Sequence, residues 1–163
     1  RSTLFPYTTL FRSPYSIEPT DVAELIRSIV REFEAGVAAP TSIPVSGPQR
    51  LEVAVDAQAL RQVLTNLLDN AWKYGGSPPS ARVEFSADAH GLTLAVEDDG
   101  PGVPDADRER IWEPYVRLER DRRSSIAGTG IGLAVVKELV GRSGGSCRVE
   151  RGVRGARFVV AFP

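Results

Sequence analysis

Residues 57–74, AQALRQVLTNLLDNAWKY, carry the pattern on which the fold assignment turns. Leu60, Val63, Leu64, Leu67, Leu68 and Ala71 recur at helical spacing and make one apolar face. At about 100° per residue, Asn66, Asn70 and Lys73 stack into a stripe roughly 110° from the centre of that face, with Tyr74 between the two. Such a stripe belongs neither in a core nor squarely in solvent, but on the rim of a groove. Asparagine is a poor helix former, so propensity does not explain two of them one turn apart. Amide oxygens on a rim can complete the coordination of a Mg²⁺ that keeps water and phosphate ligands. A lysine one turn further on can neutralise phosphate charge. For this helix alone, the competing account is two solvated asparagines and a surface lysine.

Outward from this helix, the chain alternates helix and strand signals. Upstream, Thr20 or Asp21 can cap a helix from Val22 to about Ala35, with Val22, Leu25, Ile26, Ile29, Val30 and Phe33 on one face. A Pro-, Ser- and Gly-rich loop spans Ala39 to Pro48, and Leu51, Val53 and Val55 alternate as in a short strand. Asp56 caps the quoted helix, which Gly75, Gly76, Pro78 and Pro79 end. Downstream, residues 81–87 and 92–97 make a hairpin with His90 and Gly91 at its tip. A helical turn follows over Asp105 to Arg110, and Trp112 to Thr129, weakly periodic, is expected to be a long mobile loop. Ile131 to about Arg142 is a third helix, and residues 146–151 with 155–162 close the chain as a second hairpin. This order implies an α+β, two-layer sandwich: a mixed, mostly antiparallel sheet of about five strands with three helices over one face.

Two glycine clusters flank the mobile stretch. Asp98-Asp99-Gly100-Pro101-Gly102-Val103 leaves the end of a strand. Glycines there allow backbone to approach a flat ligand, and a carboxylate can accept a hydrogen bond from an exocyclic amine. A plain Asp-Gly turn explains that loop as well when it stands alone. Gly128-Thr129-Gly130-Ile131-Gly132-Leu133 opens the third helix, where free N–H groups and the helix dipole favour an anion. No G-K-[ST] follows it, and a loop rather than a strand precedes it, so it is neither a Walker A loop nor a Rossmann fingerprint. A flexible hinge into a helix is its ordinary alternative.

Composition adds bounds. The 163 residues are 42% hydrophobic and 25% charged with a formal net charge of −1, as in a single ordinary globular domain without a global attraction to nucleic acid or anionic membrane. The arginines between Arg117 and Arg123 lack the interleaved aromatics of a base-stacking surface. No apolar run approaches the roughly 20 residues that span a bilayer, and a cytoplasmic setting is expected, with any anchor outside this piece. Cys147 is the single cysteine, which excludes an internal disulfide and a cysteine-based zinc site. Methionine is absent, and residues 1–13, RSTLFPYTTLFRS, repeat a T-L-F phrase with no amphipathic period. The chain is therefore expected to be a fragment. Residues 1–14 are expected to be a disordered or non-native tail, and 15–163 the domain.

Together these elements match one family in order and spacing. From about Tyr15 to Pro163 the chain resembles the catalytic ATPase domain of sensor histidine kinases, with its Bergerat-type ATP fold. Asn66-Leu67-Leu68-Asp69-Asn70-Ala71-Trp72-Lys73-Tyr74 resembles the N box, and Asp98 to Gly102 the first glycine box. Ile111-Trp112-Glu113-Pro114-Tyr115-Val116-Arg117 is similar to the F box, with Trp112 and Tyr115 where phenylalanines are usual. Gly128 to Gly132 resembles the second glycine box.

The resemblance implies ATP and Mg²⁺ as cofactors. Asp98 would bind the adenine amine, with Gly100, Gly102 and Val103 beside it, and Tyr74 would pack on the ring. Asn70 would ligate Mg²⁺; Asn66 and Lys73 would help hold the phosphates, and Arg117 would reach the γ-phosphate. Gly128, Thr129, Gly130, Ile131, Gly132 and Leu133 would bring a lid onto the triphosphate. The catalytic set is then Asn66, Lys73 and Arg117. Implied partners are a histidine-bearing dimerisation domain and a response regulator, with the isolated domain a monomer. His90, the single histidine, is followed by Gly91 at a hairpin tip and does not fit a phosphoacceptor, so the piece is expected to bind Mg-ATP without autophosphorylating. Anti-sigma-type serine kinases share the fold and are the rival reading, together with a non-catalytic module of the same fold.

Overall fold

The computed structural model describes residues 15–38, 41–122 and 128–163. The chain runs β1 (Glu18–Asp21), α1 (Val22–Gly36), β2 (Val45–Ser46), β3 (Glu52–Val55), α2 (Ala57–Tyr74), β4 (Ala81–Asp88), β5 (Gly91–Asp98), α3 (Glu119–Arg122), α4 (Gly132–Arg142), β6 (Ser146–Arg151) and β7 (Ala156–Phe162). Single 3-10 turns lie at Asp105–Asp107 and Arg110–Trp112. The expected tail over residues 1–14 lies outside the described residues.

A five-stranded sheet in the order β2-β4-β5-β7-β6 forms one layer. Its β2–β4 edge is parallel and the remaining pairings are antiparallel. The pleat sorts the strand residues: Ala81, Val83 and Phe85 of β4 and Leu92, Leu94 and Val96 of β5 are buried toward the helices, while Arg82 and Glu84 turn to the opposite face. Against that apolar side lie α2 and α4, and α1 packs beside α2, where Phe33 meets Trp72 edge to face at 6.2 Å. The expected apolar face of α2 is fully inside, with Leu60, Val63, Leu64, Leu67, Leu68 and Ala71 all at 0% exposure. Each such leucine contributes roughly 1.5–3 kcal/mol over an exposed one.

Helix starts follow local chemistry. Asp21 caps α1 by accepting from Ala23 N and Glu24 N, and Asp56 caps α2 by accepting from Gln58 N and Ala59 N. Asp21 also accepts from Leu51 N, so the cap ties the helix start to the chain entering β3.

Three expectations need correction. The strand around residues 51–55 does not enter the main sheet; it pairs antiparallel with β1 in a separate two-stranded sheet. The fifth strand is instead Val45–Ser46, inside the Pro- and Gly-rich stretch expected to be loop, where parallel pairing to Val83 and Glu84 overrides local composition. Finally, the stretch from Trp112 to Thr129 is not structureless over its described part. Ile111 and Trp112 are buried, Trp112 meets Phe158 of β7 edge to face at 5.9 Å, and α3 adds a helical turn. Two buried residues in a row give no period, so the anchor was invisible to pattern reading.

Trp112→Ala should therefore lower unfolding stability by about 3–5 kcal/mol, as for a core aromatic. Denaturant unfolding measures it, and a change under about 1 kcal/mol would return this stretch to the status of a loop.

Candidate functional site

A cavity of about 450 Å³ opens between α2, the end of β5 and the N-terminus of α4. Asn66, Asn70, Lys73, Tyr74, Asp98, Gly102, Val103, Arg117 and the run Gly128 to Leu133 all line it. Four stretches separated in sequence thus converge on one space. Among the residues expected at the site, Gly100 stands behind the wall. Its N–H donates to Asp98 Oδ1 at 2.9 Å, and a Cβ there would lie 2.0 Å from the Tyr74 carbonyl oxygen. No other residue fits where the β5 turn crosses the end of α2.

Asp98 forms the floor. It is 3% exposed, and Oδ1 accepts from both Gly100 N and Ala156 N, at 2.9 and 3.1 Å. Oδ2 accepts no hydrogen bond from the described residues and is left for the cavity. Burial pushes this carboxyl above its usual value, against the pull of the two backbone N–H groups, and the neighbouring Asp99 and Glu97 add to the rise.

The α2 stripe lies on the rim. Asn66 receives a bond from Gln62 at 3.1 Å and donates to the Gly132 carbonyl at 3.3 Å, joining α2 to the first residue of α4. Asn70 faces the cavity with no hydrogen bond to a described residue. Lys73 is not waiting as a bare cation: its ammonium pairs with Asp69, one turn back, at 2.5 Å. At the far side, the N-cap residue of α4, Ile131, makes no side-chain capping bond, and the first turn of the helix lies at the cavity edge.

Backbone contacts also join the two arginine- and glycine-bearing segments. Tyr115 holds φ 65°, a left-handed conformation uncommon outside glycine, and its N–H donates to the Gly130 carbonyl at 2.9 Å. Gly130, at φ 71°, comes so close that a Cβ would lie 3.0 Å from Tyr115 Cα. Arg117 donates from Nη2 to the Asp121 carbonyl at 2.8 Å, and Arg120 reaches the Gly102 carbonyl.

Pattern reading missed Gly155, Ala156 and Phe158. Ala156 supplies half of the support for Asp98, and a Cβ on Gly155 would sit 2.3 Å from Asp98 Oδ1. The only signal was a glycine before a strand, which any hairpin can show.

The donor set fits a particular kind of metal. Among the described residues no cluster of three or more His, Cys, Asp or Glu could hold an ion alone. A single amide oxygen on a cavity rim suits a hard cation that keeps other oxygen ligands.

This helix-backed mixed sheet with a cavity at its end is an architecture that ATP-binding domains of known proteins share. Residues 55–163 match the model of the histidine kinase-, DNA gyrase B- and HSP90-like ATPases. The swarming motility regulation sensor protein RssA of Serratia marcescens is 32% identical over 156 residues, covering 92% of this chain and 32% of that protein. Sensor protein RstB of Escherichia coli K12 is 40% identical over 111 residues, covering 68% of this chain and 25% of that protein. Among solved structures, the mycobacterial sensor histidine kinase MprB superposes with a TM-score of 0.72 at 27% identity, over 90% of this chain and 97% of that one. Full-length ShkA in complex with AMPPNP gives 0.73 at 30% identity, over 92% of this chain and 31% of that one. The chain belongs to the histidine kinase-, DNA gyrase B- and HSP90-like ATPase family, as an ATP-binding catalytic domain of the sensor histidine kinase kind. It spans about a third or less of the length of these curated relatives. No helix among the described residues is long and apolar enough to cross a membrane.

Because the folded carboxyl of Asp98 holds its proton to higher pH than the unfolded chain does, its stabilising contribution is complete below the unfolded value. That contribution is lost as pH rises through the folded one. Asp98→Asn keeps an acceptor for both N–H groups and removes the titration. The Tm of this variant minus that of wild type should therefore rise between about pH 4 and pH 7. A difference constant across that range would contradict the burial-driven shift.

Proposed function

We propose that the cavity binds Mg-ATP and presents its γ-phosphate to a histidine on a separate dimerisation domain of the parent protein. The observation that supports this best is Asp98: a buried carboxylate with one oxygen saturated by backbone and the other left for the cavity. An adenine exocyclic amine is a donor of the kind that oxygen can accept. Gly102 and Val103 lie beside it, and Tyr74 stands at the cavity wall where it can cover the base.

From that anchor the phosphates run toward the α2 rim. Asn66 and Lys73 hold them, Lys73 sharing its charge between Asp69 and phosphate oxygens. Gly128, Thr129, Gly130, Ile131, Gly132 and Leu133 offer backbone N–H groups from the uncapped start of α4. Asn70 is the protein ligand for Mg²⁺, which when bound neutralises phosphate charge. Arg117, which lines the same cavity and bonds the Asp121 carbonyl, would turn to the γ-phosphate. The protein's own work is positioning and charge neutralisation rather than covalent chemistry. ShkA carries AMPPNP in its complex, which accords with a triphosphate here. A response regulator is the expected next acceptor. Solved neighbours such as the sensor histidine kinase MprB support a histidine rather than a serine acceptor.

Calorimetry tests the metal assignment. Asn70→Ala should weaken ATP binding at least tenfold, or about 1.4 kcal/mol, in Mg²⁺, and change it little in excess chelator. Equal affinities in Mg²⁺ would remove Asn70 from the metal site. Incubation with γ-labelled ATP should leave no stable label on this chain, and label should appear on the histidine of an added dimerisation domain. Stable label on this chain alone would overturn that division of roles.

A further inference from the structure

Two consecutive carboxylates end β5, Glu97 at 4% and Asp98 at 3% exposure. The pleat sends them to opposite faces of the sheet, Asp98 to the cavity and Glu97 to the face away from the helices. Glu97 lies between its cross-strand neighbours, Arg82 of β4 at 3.4 Å and Arg157 of β7 at 3.3 Å. Its shortest bond is to backbone: Val153 N donates to Oε1 at 2.8 Å. Val153 belongs to the turn from Gly152 to Gly155 that joins β6 and β7, closed by Gly152 N on the Gly155 carbonyl at 3.0 Å. The next residue is Ala156, whose N–H supports Asp98.

One turn is thus held from both faces of the sheet by neighbouring carboxylates. Its glycines fit that grip. A Cβ on Gly152 would lie 2.9 Å from Glu97 Cδ, and one on Gly155 2.3 Å from Asp98 Oδ1. Arg82 and Arg157 share their charge with Asp99 at 2.8 Å and Glu84 at 2.6 Å and reach Glu97 only at 3.4 and 3.3 Å, so the tightest contact of Glu97 is the Val153 bond. What it adds is a fixed position for the turn.

We propose that Glu97 is a positioning residue for base recognition: by holding Val153 it keeps Ala156 N–H on Asp98 Oδ1, and so keeps Asp98 Oδ2 aimed at the exocyclic amine of adenine. This rests on the reading that Asp98 accepts from that amine. Ala156 N–H is one of two donors on Oδ1; with it displaced, Gly100 N alone holds the carboxylate, χ2 is less tightly fixed and the amine meets a less preorganised acceptor. Glu97 itself does not line the cavity.

The test compares affinities for ATP and for purine riboside triphosphate, which lacks the 6-amine, in folded protein checked by circular dichroism. Wild type should prefer ATP, and Asp98→Ala should abolish the preference. Glu97→Ala should cut it roughly fivefold, the scale of one hydrogen bond, while affinity for the amine-free nucleotide changes little. Glu97→Gln, whose amide oxygen still accepts from Val153 N, should retain the preference despite losing its ion pairs. Val153→Pro removes the donor at an exposed position and should mimic Glu97→Ala, which covers the case that the latter fails to fold. An unchanged preference in Glu97→Ala or Val153→Pro, with Asp98→Ala having lost it, overturns the role of Glu97 and leaves the Asp98 reading intact. Equal loss for both nucleotides also overturns it, as a general structural defect. Retained preference in Asp98→Ala removes the Asp98 reading itself.

Discussion

The apolar face of α2 fixes the rest of this molecule. Seven of its residues are buried between the sheet, α1 and α4, so the helix has a single rotational setting. Rotation by one residue, about 100°, would drive Asn66 or Asn70 into the core and expose leucine. That setting alone puts the asparagine stripe on the cavity rim, brings Asn66 to Gly132, and lays the Tyr74 carbonyl against Gly100. The polar site is thus held by nonpolar packing on the other side of the same helix.

A second constraint works at the sheet end. Taking a carboxylate out of water is expensive unless its lone pairs are used. Asp98 meets that cost by half, through two backbone donors on one oxygen, and keeps the other oxygen for the cavity. The raised affinity for its proton is the residue of the unpaid part. Close approach is possible because Gly100 and Gly155 flank it, each at a place where a Cβ would collide with backbone or with the carboxylate. Glu97 grips the far side of the same turn, so both faces of the sheet end serve one acceptor.

The segment between the two glycine clusters is organised by a different means. Trp112 sinks beside Phe158, and the left-handed Tyr115 meets the backbone of Gly130. These contacts set where Arg117 and the start of α4 stand relative to the rim. Lys73 illustrates what static packing leaves for a ligand to change: its partner in this structure is Asp69, an exposed pair that costs little to share.

Local sequence determined the three long helices, the two hairpins and the core face of α2, because helical and pleated periods write burial directly into residue spacing. It also determined most of the cavity's residue types, since each short cluster had its own chemical signature. Tertiary structure alone decided the pairing of β3 with β1, the use of Val45–Ser46 as a parallel edge, and the burial of Trp112. It alone brought Ala156 onto Asp98 and Val153 onto Glu97, across some 56 to 58 positions of chain. Backbone donors have no residue identity, and strand partners are chosen by what the whole sheet can bury. No local window of sequence contains either fact.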